Sequence, residues 1–395
     1  MRSKVLVLDE ELPIPLNTGK RLRTLNLLKN LAQKFEIHLL VHGQGATAEA
    51  RQRLEDLGIT VHVSDSVVGD KSGWKFPLRI LKNLYFSDLP FSVESHIHPA
   101  YQKRAEQLVS EHKFALIHVE WTPYAAYTKK FSVPVVISAH NVEAQIWERL
   151  AKQPHGALKG KVFHTQAERM ATFESDIFKA ASYVTAVSEL DGDTIRKAGA
   201  QNVRVVPNGV DTVFFAPSDS AEKDGNLVFT GSMDWHPNQD AIRFFIDDIY
   251  SKLKAQRNFE FFVVGRNPPP WMSSTPPEIH VTGTVPDVRP YIAEGQVYIC
   301  PLRAGGGSRL KILEALAMQK AVVSTSVGAE GLDVVHDKHL VLADGADNFA
   351  QAILSLMADP ERRARLGKAG RELVESRYDW KAIAKLQGEF WESAS

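Results

Sequence analysis

Residues 301–315 read Pro-Leu-Arg-Ala-Gly-Gly-Gly-Ser-Arg-Leu-Lys-Ile-Leu-Glu-Ala, so three consecutive glycines run into Ser308, Arg309, Lys311 and Glu314. Glycines let a ligand approach the backbone, and a helix starting behind them offers free N–H groups and a partial positive charge. Gly306, Gly307 and Ser308 are therefore expected to line an anion site. Arg309 and Lys311 add two full charges suited to a diphosphate, and Glu314, within one turn of Lys311, can accept hydrogen bonds from sugar hydroxyls. The Gly-Lys-Ser/Thr ending of a Walker motif is missing. A plainer reading is a glycine-rich turn with solvated cations and a Lys311–Glu314 helix pair.

Similar physics recurs in Pro15-Leu16-Asn17-Thr18-Gly19-Lys20-Arg21, a loop after the first strand that feeds a helix. An ordinary helix start with Lys20 and Arg21 in water explains it equally well. The run Val135-Val136-Ile137-Ser138-Ala139-His140-Asn141 delivers His140 to the end of an apolar strand, where open α/β sheets place ligand groups. Capping or packing is the commoner use of such a histidine.

Three signals carry less. Gly43-Gln44-Gly45 follows the second strand of its unit, whereas a dinucleotide fingerprint follows the first. Asp191-Gly192-Asp193 follows Ser188 and reads as acidic residues on a helix's first turn. His96 and His98 lack a third ligand nearby in sequence, so no metal site is expected. Residues 74–86 mix Trp74, Phe76, Ile80, Leu81, Leu84 and Phe86 with Lys75, Arg79 and Lys82. That is a core-facing helix with a solvated side, or a basic amphipathic helix lying on an anionic membrane.

Elements that position these residues alternate along the chain. Strands are expected over 4–8, 37–41, 60–63, 114–118, 133–138, 183–186 and 203–206, and again over 227–230, 259–264, 278–281, 297–300 and 321–324, with helices between. One helix is expected over 238–253. Such alternation predicts α/β units with parallel sheets. The turn chemistry of Val206-Pro207-Asn208-Gly209-Val210-Asp211 marks a boundary, giving domains 1–212 and 213–378 and a final helix over 379–395.

Composition excludes several classes. The 395 residues are 44% hydrophobic, with 47 Lys+Arg against 47 Asp+Glu, so no broad nucleic-acid stripe or disordered acidic tail is expected. Residues 1–212 hold 27 basic and 23 acidic residues (+4), leaving 20 and 24 (−4) for the remainder. The lone Cys300 forbids an intramolecular disulfide framework and fits a reducing compartment. No apolar run reaches the roughly 18–20 residues needed to span a bilayer. The expected location is cytoplasmic, with peripheral contact on the inner membrane face through 74–86 as an addition.

The combination resembles a GT-B glycosyltransferase, specifically family four, the retaining, nucleotide-sugar-dependent group, in its bacterial exopolysaccharide and cell-envelope branch. The likeness is strongest in Phe229-Thr230-Gly231-Ser232-Met233-Asp234-Trp235-His236-Pro237-Asn238, Val264-Gly265-Arg266, Val281-Thr282-Gly283-Thr284-Val285-Pro286-Asp287, the glycine–arginine–lysine–glutamate turn and Gly328-Ala329-Glu330-Gly331-Leu332. It implies two Rossmann-like domains facing across a cleft, the first binding acceptor and the second the nucleotide sugar, with the last helix crossing back to the first domain. It further implies that Arg309 and Lys311 hold the donor diphosphate, Glu314 the ribose, and Gly19 the β-phosphate and sugar. Gly231 falls among the donor-binding positions, His140 contacts the transferred sugar near the reacting centre, and the surroundings of Gly283, Val285 and Asp287 line the base. Neither a cofactor nor a metal is implied; the donor is of UDP or GDP type, and the acceptor is a glycan, a glycolipid or a small molecule.

Two departures stand out. Many members carry a first glutamate on the glycine loop, where this chain has Gly306, and an arginine and lysine after the glycine matching Gly231, where it has Ser232 and Pro237-Asn238. The diphosphate charge then falls more heavily on Arg309 and Lys311. Rival expectations are a GT-B epimerase or phosphorylase, or a non-catalytic sugar-nucleotide-binding protein of an envelope assembly complex.

Overall fold

The computed structural model describes residues 2–16, 18–68, 75–152, 156–218, 220–304 and 309–395. They form two units, Met1–Pro207 with Ile383–Ser395, and Asn208–Ala382. The first unit thus ends before residue 212, because the turn beyond Pro207 is built into the second. There Val210 N–H donates to the Tyr378 carbonyl at 2.8 Å, Thr212 Oγ1 donates to Asp379 Oδ2 at 2.6 Å, and Gly209 lies so close to Trp380 that a Cβ would meet its ring at 2.8 Å.

In the first unit the described strands are β1 (Lys4–Leu8), β2 (Glu36–His42), β3 (Ile59–Ser64), β4 (Leu116–Val119), β5 (Val135–Ala139), β6 (Tyr183–Ala186) and β7 (Val203–Val205), in the order β3-β2-β1-β4-β5-β6-β7. All neighbours run parallel. Val5, Leu6, Val7 and Leu8 are fully buried, as expected of a strand covered on both faces. The order reverses at β1, whose neighbours are β2 and β4, and Leu8 pairs with Val119. Asp9 and Glu120, each one residue beyond its strand, consequently emerge side by side at the switch point, where such sheets bind ligands. From the C-terminal helix Trp380–Ala394, the fully buried Trp391 packs edge-on to Phe35 at 5.1 Å.

The described strands of the second unit are β8 (Asn226–Thr230), β9 (Glu260–Val264), β10 (Ile279–Gly283), β11 (Val297–Cys300), β12 (Val322–Ser324) and β13 (Val341–Leu342), in the order β10-β9-β8-β11-β12-β13 and again all parallel. Its switch point lies between β8 and β11, so Gly231 and the chain after Cys300 leave the sheet together. The helix expected over 238–253 is divided into His236–Phe244, a wide π segment Phe245–Ile249, and Tyr250–Lys254. Phe245, Ile249 and Leu253 are all buried at intervals of four, the ordinary same-face spacing of a helix. β13, which is only two residues long, has no counterpart among the expected strands.

Candidate functional site

The second unit gathers charge around Gly231. Lys311, in the first turn of the helix Leu310–Ala317, donates from Nζ to Asn238 Oδ1 at 2.6 Å and stands 4.0 Å from the Phe229 ring centroid. Asn238 is held in turn by its Nδ2 donating to the Ser232 carbonyl at 2.7 Å. A Cβ on Gly231 would come within 2.7 Å of Asn238 Nδ2 and 2.9 Å of Lys311 Nζ, so only glycine leaves the ammonium its place. Gly265 is tighter still, since its Cβ would meet the Gly231 carbonyl oxygen at 1.7 Å. Two motif glycines thus have steric reasons rooted in the protein itself.

Two of these charges, Lys311 and Glu314, are poorly compensated. Burial pushes the Lys311 ammonium down to about 8, which the neighbouring Glu314 only partly opposes. Burial likewise pushes the Glu314 carboxyl up to about 7 despite Lys311. Arg309, 6% exposed, directs Nη2 to Glu330 Oε2 at 3.3 Å. A cation and a carboxylate each driven toward neutrality at physiological pH form a site that a bound anion and its hydroxyls can complete.

Gly283 ends β10 with φ +69, and among the described residues, its chain neighbours aside, no atom lies within 4 Å of a Cβ position, so both its conformation and its surroundings leave the backbone open. Val285 packs against the unit's core. Asp287 is occupied by Arg289, which donates from Nε at 3.0 Å, from Nη2 at 2.6 Å and from its backbone N–H at 2.9 Å. Its side chain is therefore structural, and the Arg289 guanidinium lies 3.8 Å from the Phe214 ring centroid. Gly306, Gly307 and Ser308 lie outside the described residues.

At the first unit's switch point the charges are paired. The buried Asp9 holds Lys20, and Glu11 holds Arg21, so neither cation of the Gly19 loop is simply solvated as the plainer reading had it. Gly19 begins the helix Gly19–Leu31, which Thr18 caps by accepting the Arg21 N–H at 3.3 Å, and a Cβ on Gly19 would meet nothing within 4 Å. His140 follows β5 and bonds through Nε2 to Glu120 Oε1 at 3.2 Å. Glu120, 1% exposed, also receives Thr24 Oγ1 at 2.9 Å on Oε1 and His118 Nε2 at 2.8 Å on Oε2. Burial alone would raise this carboxyl, but its bonds to His118 and His140 outweigh that and hold it well below the usual carboxylate range.

Sequence reasoning singled out His140 but missed Glu120, His118 and Asp9. Their signal was polar residues at the C-terminal ends of β1 and β4, readable only once those strands are known to be adjacent. The weaker motifs have structural roles: His98 caps the helix Pro99–Glu111, Ser188 caps Glu189–Lys197 by accepting from Asp191 N–H, and Asp193 pairs with Arg196 at 2.6 Å. In the helix Lys75–Phe86, Leu78, Leu81, Tyr85 and Phe86 are 56%, 50%, 76% and 83% exposed, which departs from a wholly core-facing role; Trp74 lies outside the described residues. Among the described residues no helix is long and apolar enough to cross a membrane.

Comparison with known proteins bears on both units. The Glycosyltransferase Family 4 model matches residues 19–214, and the Glycosyl transferases group 1 model matches residues 224–359. A GDP-mannose-dependent alpha-(1-6)-phosphatidylinositol monomannoside mannosyltransferase of Mycobacterium tuberculosis is 31% identical over 123 residues, a stretch covering 28% of this chain and 32% of that protein. Among solved structures, sucrose-phosphate synthase from Thermosynechococcus elongatus superposes with a TM-score of 0.69 at 16% identity over 99% of both chains. Anabaena HepE in complex with UDP superposes with a TM-score of 0.67 at 17% identity over 99% of this chain and 100% of that one. With matched models in both halves, two parallel-sheet units and full-length structural likeness, the chain belongs to glycosyltransferase family 4 and has the two-domain GT-B fold.

Proposed function

We propose that the protein transfers a sugar from a nucleotide diphosphate sugar to an acceptor hydroxyl in polysaccharide or glycolipid assembly, with retention and without a bound metal. The carrying observation is the pair Lys311 and Glu314, each pushed toward neutrality by burial, beside the buried Arg309 at the second unit's switch point. As the anomeric C–O bond to the β-phosphate breaks, the diphosphate gains negative charge, which Arg309 and Lys311 stabilise more in the transition state than in the ground state. The acceptor oxygen forms its bond to the anomeric carbon on the face the phosphate leaves, and its proton passes to the departing phosphate oxygen. Glu314 accepts from the ribose hydroxyls, and His140 meets the transferred sugar. The mannosyltransferase relative, named for GDP-mannose, and the neighbour solved with UDP support the two donor types considered.

Thermal-shift measurements with UDP, GDP, ADP and dTDP select the nucleotide, and donor turnover by the purified protein then tests the reaction. Transfer with the donor's anomeric configuration kept is expected. Rearranged free sugar without acceptor indicates an epimerase, orthophosphate dependence a phosphorylase, and binding without turnover a non-catalytic protein. Unchanged turnover of Arg309→Ala at subsaturating donor would refute the charge assignment, and chelator sensitivity reversed only by a divalent ion would refute the metal-free route.

The helix Lys75–Phe86 is assigned to peripheral contact with an anionic bilayer, since the exposed Leu78, Leu81, Tyr85 and Phe86 are accompanied by Arg79 and Lys82. Cosedimentation with phosphatidylglycerol-containing vesicles should fall in Leu81→Glu/Phe86→Glu; equal binding by the double variant contradicts the assignment.

A further inference from the structure

Residues around His140 form a chain of hydrogen bonds whose directions can be worked out. The Trp391 indole is a donor only, and its Nε1 lies 3.3 Å from His118 Nδ1. His118 Nδ1 must therefore accept, which places that ring's proton on Nε2. Nε2–H then donates to Glu120 Oε2 at 2.8 Å. Thr24 Oγ1 and His140 Nε2 both meet the other carboxylate oxygen, Oε1, at 2.9 and 3.2 Å. An ionised carboxylate accepts only, so each of these groups must donate to it. The proton on His140 nearest Glu120 is thereby fixed on Nε2, and Nδ1 is the nitrogen not engaged by the carboxylate.

The geometry points to Glu120 as a positioning residue for His140, with His118 and Trp391 holding the far side of the carboxylate. The inference rests on the proposed role of His140 at the transferred sugar. A freely turning imidazole presents either nitrogen in either tautomer, whereas Glu120 selects one orientation and leaves Nδ1 to a sugar hydroxyl. Carboxylates that orient histidines recur in proteins because ring orientation and proton placement are set together. Trp391, Thr24 and Glu120 are all buried, so water does not compete for these bonds.

Glu120→Gln replaces one acceptor oxygen with an amide donor at nearly constant volume, so His118 and His140 cannot both keep their bonds. Long-range 1H–15N spectra of histidine-labelled protein should show Nε2–H on both rings in the wild type and a changed His140 or His118 ring pattern in Glu120→Gln. In the transfer reaction kcat should fall roughly 10- to 100-fold, with the donor KM within about twofold. Combined with His140→Ala, Glu120→Gln should add little further loss, because both changes remove one unit. An unchanged ring pattern, or the same loss in kcat with and without His140, overturns the inference. If Glu120→Gln does not fold, Glu120→Asp draws the carboxylate back by one methylene from His140, and an unaltered His140 ring pattern there overturns it equally. Should His140→Ala transfer sugar normally, the proposed role of His140 fails, while the ring spectra still decide what Glu120 does.

Discussion

Equivalent places in the two units are furnished in opposite ways. At the first unit's switch point the highlighted charges face ionic or histidine partners, although burial still raises the Asp9 carboxyl: Asp9 holds Lys20, Glu11 holds Arg21, and Glu120 receives His118, His140 and Thr24. The second unit leaves Lys311 and Glu314 pressed toward neutrality by burial. A self-satisfied network fixes geometry before a ligand arrives, whereas an under-compensated one sacrifices stability to create affinity for a counter-charge. On the proposed reading, the same sheet topology serves orientation in one unit and charge in the other.

The contrast is sharpest for the two lysines. Lys20→Met strands the buried Asp9 carboxylate, so unfolding should become easier by roughly 3–5 kcal/mol in denaturant melts, with nucleotide affinity nearly unchanged. Lys311→Met should do the reverse, lowering donor kcat/KM by about 10²–10³ while thermal stability holds or rises. If Lys20→Met weakens nucleotide binding as strongly as Lys311→Met, the division of labour is wrong. Gly231→Ala should have a smaller effect of about tenfold on donor kcat/KM, because the new methyl displaces Lys311 Nζ without removing it, and steady-state kinetics with a folded variant check this.

The mildest effect concerns pH and the free protein. Glu314 is raised from 4.5 to about 7, so its contribution to stability is full below 4.5 and lost as pH climbs through 7. Lys311 is depressed from 10.5 to about 8, so its contribution is present above 10.5 and lost as pH falls through 8. The site should therefore contribute least near pH 7–8, and the melting temperature of Lys311→Met/Glu314→Gln relative to wild type should be highest there. A difference that does not vary with pH contradicts uncompensated burial.

The parallel α/β architecture was readable because β-branched runs alternate with helical stretches, and the second unit's site was readable because its groups sit in short contiguous motifs. Gly231, Arg309, Lys311 and Glu314 could each be named from such a motif. Asn238 was noticed only as a departure at a position where relatives carry a cation; its role in fixing Lys311 emerges once β8 and the Leu310–Ala317 helix are adjacent. The Glu120 network was beyond local pattern, since Thr24, His118, His140 and Trp391 are spread over most of the chain and meet only through strand order and the last helix. The π segment was missed because the i, i+4 spacing of its buried residues is also that of a regular helix.

Calorimetry of UDP and GDP binding at pH 8, repeated in buffers of different ionisation enthalpy, tests most directly whether the second unit awaits a diphosphate. An anion placed beside Lys311 raises that ammonium's affinity for protons, so binding should take up protons from solution, and Lys311→Met should lose most of that uptake. Nucleotide binding with no proton uptake, or with uptake unchanged in Lys311→Met, would contradict the assignment.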